Sequence, residues 1–328
     1  MSKETNVRFW KNLIKSGKSK NRAKINFFIN WQLLLFIKQL MPSRLRTIYR
    51  YIIHPSIIWW YFLHPKIDRY SYYDHPEPEL VFAALKVNEL PVTELVASDY
   101  LFGFQEYLQR NRNLYMNMGY FDLFVENGYF PEKALEHYLS LELLEVCNGD
   151  IVLDVGAWGS PFAVIAERIG CNAFSQDLIF ENGVHGKKIG SDVRAIPMPD
   201  ASFTKIVAHC AIDNFEGDAD SEFIREAWRL LKPGGMLLII PLHMATRFEN
   251  IIDPFEKDVE TDTEAIKVYK PMCGFRFGRH YDVNHLQMRL LDIAPFRFQI
   301  VYFKNGFQTF HSSCHLKFAL KLIKDRNG

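Results

Sequence analysis

The stretch Ile151–Gly159, with the sequence IVLDVGAWG, decides the fold of this 328-residue chain. Three apolar residues run into Asp154, and a short turn that contains glycine follows. A continuous apolar run is typical of a buried parallel strand, and open α/β sheets bind ligands at the carboxyl ends of such strands. Ser160 and Pro161 then mark the start of a helix. The stretch therefore predicts a strand–turn–helix unit whose turn and helix N-terminus suit a nucleotide-like ligand.

The segments that follow repeat the alternation of strand and helix. After the helix that begins at Ser160, further strands are predicted at Asn172–Gln176, Thr204–His209 and Met236–Ile240. An amphipathic helix over Asp220–Leu231 ends at a Lys-Pro-Gly-Gly turn, because proline cannot continue a helix and glycine permits a positive φ. This order predicts an open, doubly wound α/β sheet.

Two acidic residues stand at the ends of predicted strands. Asp177 comes about twenty residues after the glycine turn, where a carboxylate can accept both hydrogen bonds from a ribose diol. A carboxylate that caps its own loop is an equally good interpretation of that spacing. Asp192 follows a short strand or loop at Gly190–Ser191.

Further elements complete a predicted domain over residues 131–312. Apolar residues recur with helical spacing over Pro131–Cys147, which predicts a helix before the first strand. A second helix is predicted over Val283–Leu291. Apolar runs on both sides of Asn305-Gly306 indicate a hairpin of strands near 296–303 and 308–310, which would form the antiparallel edge of the sheet.

Two segments flank this domain. Residues 68–130 are rich in aromatic side chains and are predicted to form a mostly helical lead-in, or a cap on the acceptor side. The tail 313–328 contains the sequence CHLKFALKLIK at 314–324, which predicts a short basic amphipathic helix.

The N-terminal arm, residues 1–67, differs in charge from the rest of the chain. The net charge is +1, yet the arm holds thirteen of the 39 lysines and arginines and one of the 38 acidic residues. Its apolar run over 25–37 is shorter than the roughly 20 residues that span a bilayer. Basic residues combined with Trp and Tyr suit an anionic membrane surface. The arm is therefore interpreted either as a surface anchor on the cytoplasmic leaflet or as helices packed on the domain.

Other partners and compartments are constrained by composition. The basic residues of the arm lack a recognisable nucleic-acid recognition fold, so no nucleic acid is expected. The five cysteines are odd in number and contain no Cys-x-x-Cys pair, which favours a reducing cytosol over a disulfide framework or a zinc site. We predict a cytoplasmic protein that either stays in solution or lies on the cytoplasmic face of the membrane.

At this point the residues carry a family resemblance. The chain from about Leu135 to Leu242 resembles class I S-adenosylmethionine-dependent methyltransferases, through LDVGAWGS at 153–160, SDVRAIPMPDASFTKIVAHCAIDNF at 191–215 and EAWRLLKPGGMLLIIP at 226–241. The segments DNFEGDADSEFIREAWRLLKPGG at 213–235 and RHYDVNHLQMRLL at 279–291 are also similar to methyltransferases of bacterial cell-surface glycan clusters. The resemblance implies a Rossmann-like, seven-stranded, mostly parallel sheet with an antiparallel C-terminal edge strand and a helical N-terminal extension.

The resemblance also implies S-adenosylmethionine as cofactor and assigns roles to particular residues. Gly156 lets the backbone approach the cofactor, Asp177 binds the ribose hydroxyls, and Asp192 with Val193 faces the adenine. Trp158 stands where the family has its second glycine. The residues assigned to the cofactor are Asp154, Gly156, Ala157, Trp158, Gly159, Asp177, Asp192, Val193, His209 and Cys210.

Methyl transfer to a hydroxyl needs alignment of donor and acceptor and removal of a proton. Because the methyl donor is already activated by its positive charge, no metal is expected. Candidate catalytic residues follow the predicted strands: Asp213, His243 and His280. His243 comes directly after the strand at Met236–Ile240, and a histidine suits proton transfer at neutral pH.

Three functions are compatible with these residues. The first is O-methylation of a glycan or lipid-linked saccharide at the cytoplasmic membrane face. The second is a non-catalytic scaffold with a degenerate methyltransferase fold, which Trp158 favours. The third is a nicotinamide-dependent oxidoreductase, which the incomplete Gly-x-Gly-x-x-Gly pattern disfavours. The residues carry no indication of oligomeric state.

Overall fold

A computed structural model describes residues 77–116, 131–254, 256–270, 275–307, 310 and 314–326. The predicted arm at 1–67 lies outside this part of the chain, so its interpretation stays a prediction. Within the described ranges, no helix has the length and apolar character needed to cross a membrane.

A large sheet forms the centre of the described residues, flanked by helices. Its strands are β1 (Val92–Val96), β2 (Ile151–Val155), β3 (Asn172–His185), β4 (Lys188–Gly190), β5 (Phe203–His209), β6 (Leu231–Ile240), β10 (Arg297–Lys304) and β11 (Phe318–Ile323). A smaller sheet contains β7 (Glu249–Ile252), β8 (Ile266–Tyr269) and β9 (Phe277–His280). The helices are α1 (Pro78–Val87), α2 (Leu101–Met116), α3 (Pro131–Leu143), α4 (Phe162–Ile169), α5 (Ala219–Leu230) and α6 (Val283–Leu286), and a π-helical turn follows at Gln287–Leu291.

The predicted α/β architecture with a mostly parallel sheet is confirmed. The strand order is β1-β10-β11-β6-β5-β2-β3-β4, and β11 alone runs antiparallel to both of its neighbours among the described strands. Alternate residues of the central strands pack on opposite faces: Val152 and Val207 lie in one apolar cluster with α3 and α4, whereas Leu153 and Ile206 lie in another with α5. Both faces are covered, which explains why β2 reads as a continuous apolar run.

The edge of the sheet differs from the prediction. Eight strands, rather than seven, form the large sheet in the described ranges, because β1 adds to β10 in parallel. The antiparallel strand therefore lies inside the sheet, between β10 and β6, and not at its edge. The turn at Asn305-Gly306 has positive φ at both residues, as a tight hairpin turn requires. The antiparallel partner of β10 is β11. Residues 308 and 309 of the predicted second strand lie outside the described residues.

The tail is also corrected, since its predicted helix is the strand β11. Phe318, Leu320 and Leu322 face one apolar cluster, and Ala319 faces the other. A strand between two neighbours forms hydrogen bonds on both sides and buries both faces, which outweighs the intrinsic helical preference of a Leu- and Lys-rich segment.

The connection between β3 and β4 is compact. Beyond Asp177 the chain turns back, so that Val184 and His185 pair with Ile189 and Lys188. The turn lies so close to β4 that a Cβ atom on Gly190 would stand 2.0 Å from the Glu181 carbonyl oxygen. This hairpin carries β3 further than the predicted strand at Asn172–Gln176.

The small sheet was not predicted. It lies between β6 and β10 in the sequence, with β7 parallel to β8 and antiparallel to β9. A bridge between Met244 and Tyr281 joins its end to the chain that leaves β6. This sheet brings residues from β7 and β9 next to the residues that follow β6.

Candidate functional site

The loop after β2 is tied to the tip of β3. Gly156 has a φ of +67°, and a Cβ atom there would come 2.8 Å from the Cβ of Ala211, so both conformation and space favour glycine. The Ala157 N–H donates to the carbonyl oxygen of Gln176 at 3.0 Å. The Trp158 N–H donates to Oδ2 of Asp177 at 2.9 Å. We call residues 156–161 the cofactor loop below, after the role that the family resemblance predicts for them.

Asp177 holds both this loop and its own turn. Its Oδ1 accepts from the Ile179 N–H at 3.0 Å, and its Oδ2 accepts from Trp158. Burial raises the pKa of Asp177, while these backbone donors oppose the rise. The structure therefore brings Gly156, Trp158 and Asp177 together near the carboxyl end of β2, as the sequence predicted. The Trp158 side chain keeps about a third of its surface exposed, at 36%. Gly159 lies in the same loop with a φ of +104°.

Asp192 and Val193 lie after β4, on the far side of β3 from the cofactor loop. The Asp192 carboxylate accepts from Nε and Nη2 of Arg194 at 2.9 and 2.8 Å. The hydrogen bonds from Arg194 lower the pKa of Asp192. Val193 is buried. The carboxylate is thus engaged within its own loop, and its role towards adenine stays a prediction.

A buried polar group lies beneath the cofactor loop. Nδ1 of His209 lies 2.9 Å from Oδ1 of Asp154, and Nε2 lies 2.9 Å from the hydroxyl of Ser140 on α3. Burial raises the pKa of Asp154 to about 6 and lowers the pKa of His209 well below its usual value, so the imidazole is neutral. The order Ser–His–Asp is that of a hydrolase triad. Ser140 is 0% exposed, however, so this group braces the strand ends instead of attacking a substrate.

The family resemblance assigns His209 and Cys210 to the cofactor. In the structure, the side chain of His209 belongs to the polar group under the loop. Sγ of Cys210 donates to Oε1 of Glu136 on α3 at 3.1 Å, and Glu136 also pairs with Lys133 at 2.7 Å. Burial raises the pKa of the Cys210 thiol well above its ordinary value, so this thiol is not a ready nucleophile. Contact of either residue with a cofactor stays a prediction.

The three predicted catalytic residues come together. Asp213 lies in a short 3₁₀ turn after β5, His243 follows β6, and His280 ends β9. Nε2 of His243 is 3.7 Å from Oδ2 of Asp213, and the two imidazole rings are 5.5 Å apart between centroids. Nδ1 of His280 is 3.8 Å from Oε2 of Glu249 on β7. We call these four residues the His–carboxylate cluster.

Backbone pairing explains how residues so distant in sequence meet. The Tyr281 N–H donates to the His243 carbonyl oxygen at 3.0 Å, which places His280 beside His243. All four side chains of the His–carboxylate cluster are at most 1% exposed. No group of three or more His, Cys, Asp or Glu side chains in the described part of the chain has the arrangement of a metal site. The arrangement is suited to proton transfer within a water-excluded site.

A second buried network anchors the small sheet. Arg279, next to His280 on β9, pairs with Asp220 of α5 at 3.0 Å and with Asp262 at 2.8 Å. Arg289, from the π-helical turn, pairs with Asp220 at 2.7 Å, and the Tyr281 hydroxyl donates to the same carboxylate at 2.8 Å. These charges are paired and hydrogen-bonded, as burial requires. The network holds β9 and α5 together and so fixes the position of His280.

Sequence reasoning missed several residues of the site. Glu249 lies on an unpredicted strand and belongs to no local motif. The polar residues of α3 did carry a signal, because they recur at intervals of three and four and share one helix face. That polar face, on a helix interpreted as ordinary packing, is the pattern that indicates a buried network. These residues are Lys133, Glu136, His137 and Ser140.

Part of the chain is similar to known methyltransferases. Residues 153–239 match the model of a family described as a methyltransferase domain. The arsenite methyltransferase of Aquipseudomonas alcaligenes is 31% identical over 133 residues, which cover 33% of this chain and 37% of that protein. The chain therefore spans little more than a third of the length of this relative.

Two solved structures are similar in fold. One is a 1,6-didemethyltoxoflavin N1-methyltransferase from Burkholderia thailandensis, with 1,6-didemethyltoxoflavin and S-adenosylhomocysteine bound; it is 14% identical, covers 72% of this chain and 94% of its own, and has a TM-score of 0.40. The other is an S-adenosylmethionine-dependent methyltransferase from Mesorhizobium loti, 17% identical, covering 56% and 95%, also with a TM-score of 0.40. The family match falls on β2 to β6, which carry the cofactor loop and Asp177. Residues 153–239 of this chain form a methyltransferase domain.

Proposed function

We propose that this chain transfers a methyl group from S-adenosylmethionine to a hydroxyl of a glycan or lipid-linked saccharide at the cytoplasmic face of the membrane. The observation that carries the choice of a hydroxyl is the His–carboxylate cluster. A hydroxyl must lose its proton as it is methylated, whereas an acceptor that is already a good nucleophile needs no base. A histidine next to a carboxylate can provide that base.

The cofactor loop and Asp177 have the chemical groups that S-adenosylmethionine would need. The glycine at the start of the loop, the loop amides and the acid at the tip of β3 provide the backbone approach and the carboxylate that a nucleoside needs. S-adenosylmethionine, when bound, supplies a methyl group that is activated by the positive charge of its sulfur. The chain's own residues then have three tasks: to orient the acceptor, to exclude water and to take up its proton.

His243 is the assigned proton acceptor. Asp213, 3.7 Å from its Nε2, stabilises the imidazolium that forms. His280 lies parallel to His243 at 5.5 Å, with Glu249 behind it. Because these side chains are at most 1% exposed, an acceptor reaches them only after the covering chain moves aside. Closure over the bound acceptor would keep water from the reacting atoms.

The acceptor class and location rest on the sequence. The arm at 1–67 combines thirteen basic residues with Trp and Tyr, which suits an anionic lipid surface and hence a lipid-linked acceptor. Co-sedimentation with vesicles that contain anionic lipid should retain the full chain and release a chain that begins at Ser71. Equal binding of the two would remove the anchor from the proposal.

The enzymatic proposal is tested in two steps. Isothermal titration with S-adenosylhomocysteine should show binding; no binding and no thermal shift would favour the scaffold alternative. Radiolabelled S-adenosylmethionine is then incubated with a membrane extract that contains lipid-linked saccharides. Label in the saccharide fraction that alkali does not release supports an ether product. Label transferred to added arsenite, or to no component of the extract, would contradict the acceptor proposed here.

A further inference from the structure

A chain of buried hydrogen bonds connects α2 with the cofactor loop. The hydroxyls of Tyr107 and Tyr115, both on α2, are 2.5 Å apart. The Tyr115 hydroxyl lies 2.8 Å from Nδ1 of His137 on α3. Nε2 of His137 lies 3.3 Å from the hydroxyl of Ser160, at the end of the cofactor loop. Ser160 Oγ also accepts from the N–H of Phe162, the first residue of α4, at 3.1 Å.

The donors in this series of hydrogen bonds all point in one direction. Burial lowers the pKa of His137 well below its usual value, so the ring is neutral and has a single N–H. With Tyr115 donating to Nδ1, that proton is on Nε2 and points to Ser160. The Ser160 hydrogen is then left for the Asp154 carboxylate: Oδ2 of Asp154 has no donor within bonding distance, but the Ser160 hydroxyl is near enough to lower the pKa of Asp154.

The opposite direction would remove a hydrogen-bond donor from the Asp154 carboxylate. If Nδ1 of His137 donated to Tyr115, the Ser160 hydroxyl would have to donate to Nε2 and would turn from the carboxylate. An ionised carboxylate only accepts hydrogen bonds, and a buried one that lacks donors is costly. The donors therefore point from Tyr107 through Tyr115, His137 and Ser160 towards Asp154. Hydrogen bonds aligned in this way strengthen one another.

We propose that Tyr115 and His137 are positioning residues for the cofactor loop: through Ser160 they fix the end of this loop and the start of α4, and thereby set the affinity for S-adenosyl ligands. The inference rests on the proposed use of S-adenosylmethionine. Neither residue touches the reacting atoms, because His137 is 0% and Tyr115 1% exposed beneath the loop. Their effect reaches the ligand through the position of the loop.

Two substitutions of His137 separate this role from simple packing. Gln can place an amide N–H near the position of Nε2 and so keeps the bond to Ser160. Asn is shorter; it can accept from Tyr115 at the Nδ1 position but does not reach Ser160. Both remove a buried ring, so His137→Gln and His137→Asn should lower the melting temperature by similar amounts. Their effects on ligand binding should differ.

The measurement is isothermal titration of the full chain with S-adenosylhomocysteine, alongside thermal melting. We expect His137→Asn to bind about tenfold more weakly than the unsubstituted chain, which is the loss of about one buried hydrogen bond. His137→Gln should bind within about threefold of it on the same grounds. Tyr115→Phe should also weaken binding. Tyr302→Phe, which removes a hydroxyl bonded to Glu79 far from the loop, serves as the matched control and should bind normally.

The outcomes are separable. If the unsubstituted chain does not bind S-adenosylhomocysteine, the proposed function is overturned and this assignment with it. If it binds and the Gln and Asn variants lose equal affinity, packing explains the loss and the positioning role is overturned. If His137→Asn fails to fold, Tyr115→Phe decides: normal binding by that variant also overturns the proposal.

Discussion

The imidazole of His243 lies almost parallel to that of His280, with ring centroids 5.5 Å apart and an angle of 19° between the planes. His243 follows β6 of the large sheet and His280 ends β9 of the small sheet. Each has a carboxylate within 4 Å, Asp213 at 3.7 Å and Glu249 at 3.8 Å. Two buried imidazoles and two buried carboxylates therefore lie close together, with side chains at most 1% exposed. Substitutions in this cluster can therefore test whether these side chains take part in methyl transfer.

The first prediction concerns His243 as the proton acceptor. His243→Asn should reduce label transfer from S-adenosylmethionine to the saccharide extract by at least about 100-fold, because general-base catalysis typically contributes that much. The affinity for S-adenosylhomocysteine should not change. His185→Asn, on the exposed hairpin of β3, is the control and should keep its activity. Full turnover by His243→Asn would exclude the residue from the mechanism.

The second prediction concerns Asp177 at the tip of β3. Its carboxylate organises the Trp158 and Ile179 amides and is the predicted ribose ligand. Asp177→Ala should weaken binding of S-adenosylhomocysteine by about tenfold or more, since at least one charge-assisted hydrogen bond is lost. Titration calorimetry measures this change. Asp292→Asn, at an exposed turn, should leave the affinity unaltered, and equal affinities for all three proteins would exclude Asp177 from the binding site.

The third prediction concerns the pH dependence of stability. The pKa of Asp154 is about 6 in the folded chain, against 3.8 for an ordinary aspartate. Between these values the folded state holds the proton more tightly than the unfolded state, so the contribution of Asp154 to stability is full below about pH 4 and is lost as the pH rises to about 6. The total change is about 3 kcal/mol. The groups that interact with Asp154 are His137, His209, Ser160, Lys133, Tyr115, Glu136 and Asp177.

Urea unfolding of the natural chain and of Asp154→Asn between pH 4 and pH 7 measures this contribution. The difference in the free energy of unfolding should shift against the natural chain as the pH rises, and should level off above about pH 6.5, where the carboxylate is ionised in both states. A difference that is constant across this range would mean that the buried carboxylate titrates normally.

The fourth prediction concerns Arg279 in the network between β9 and α5. Arg279→Leu leaves two buried carboxylates with fewer donors, and should lower the free energy of unfolding by about 3 kcal/mol or more. Arg289 still neutralises part of this charge, which keeps the loss of unfolding free energy close to that value. Arg297→Leu breaks an ion pair with Asp325 whose arginine side chain is 68% exposed, and should cost no more than about 1 kcal/mol. Similar losses for the two variants would show that burial does not matter here.

The parts of the site that sequence could predict depend on short-range pattern. β2, its glycine turn and Asp177 are recognisable because an apolar run, a turn and an acid follow at fixed spacing. Asp213, His243 and His280 were predicted as candidates because each follows a predicted strand or lies in a local cluster of polar residues. Their distances were not predictable, since these depend on pairing between β7 and β9.

The parts that sequence could not predict depend on tertiary context. Lys317 and Lys321 are four residues apart, which is a helical spacing, while Phe318, Leu320 and Leu322 alternate as in a strand. The segment forms a strand because it can pair with β6 on one side and with β10 on the other. Glu249 carries no local signal at all. The contacts of His137 could not be predicted from the helix pattern, because its partners Tyr115 and Ser160 are 22 and 23 residues away.

The anchoring of β9 has an evolutionary implication. Arg279 couples this strand to α5, so the spacing of the two imidazoles is insulated from fluctuations at the rim of the small sheet. β8, in contrast, forms the outer edge, and three of its four residues are exposed. Substitutions on this exposed edge can accumulate without disturbing the interior, so a lineage of such proteins could vary β8 while His243 and His280 keep their spacing.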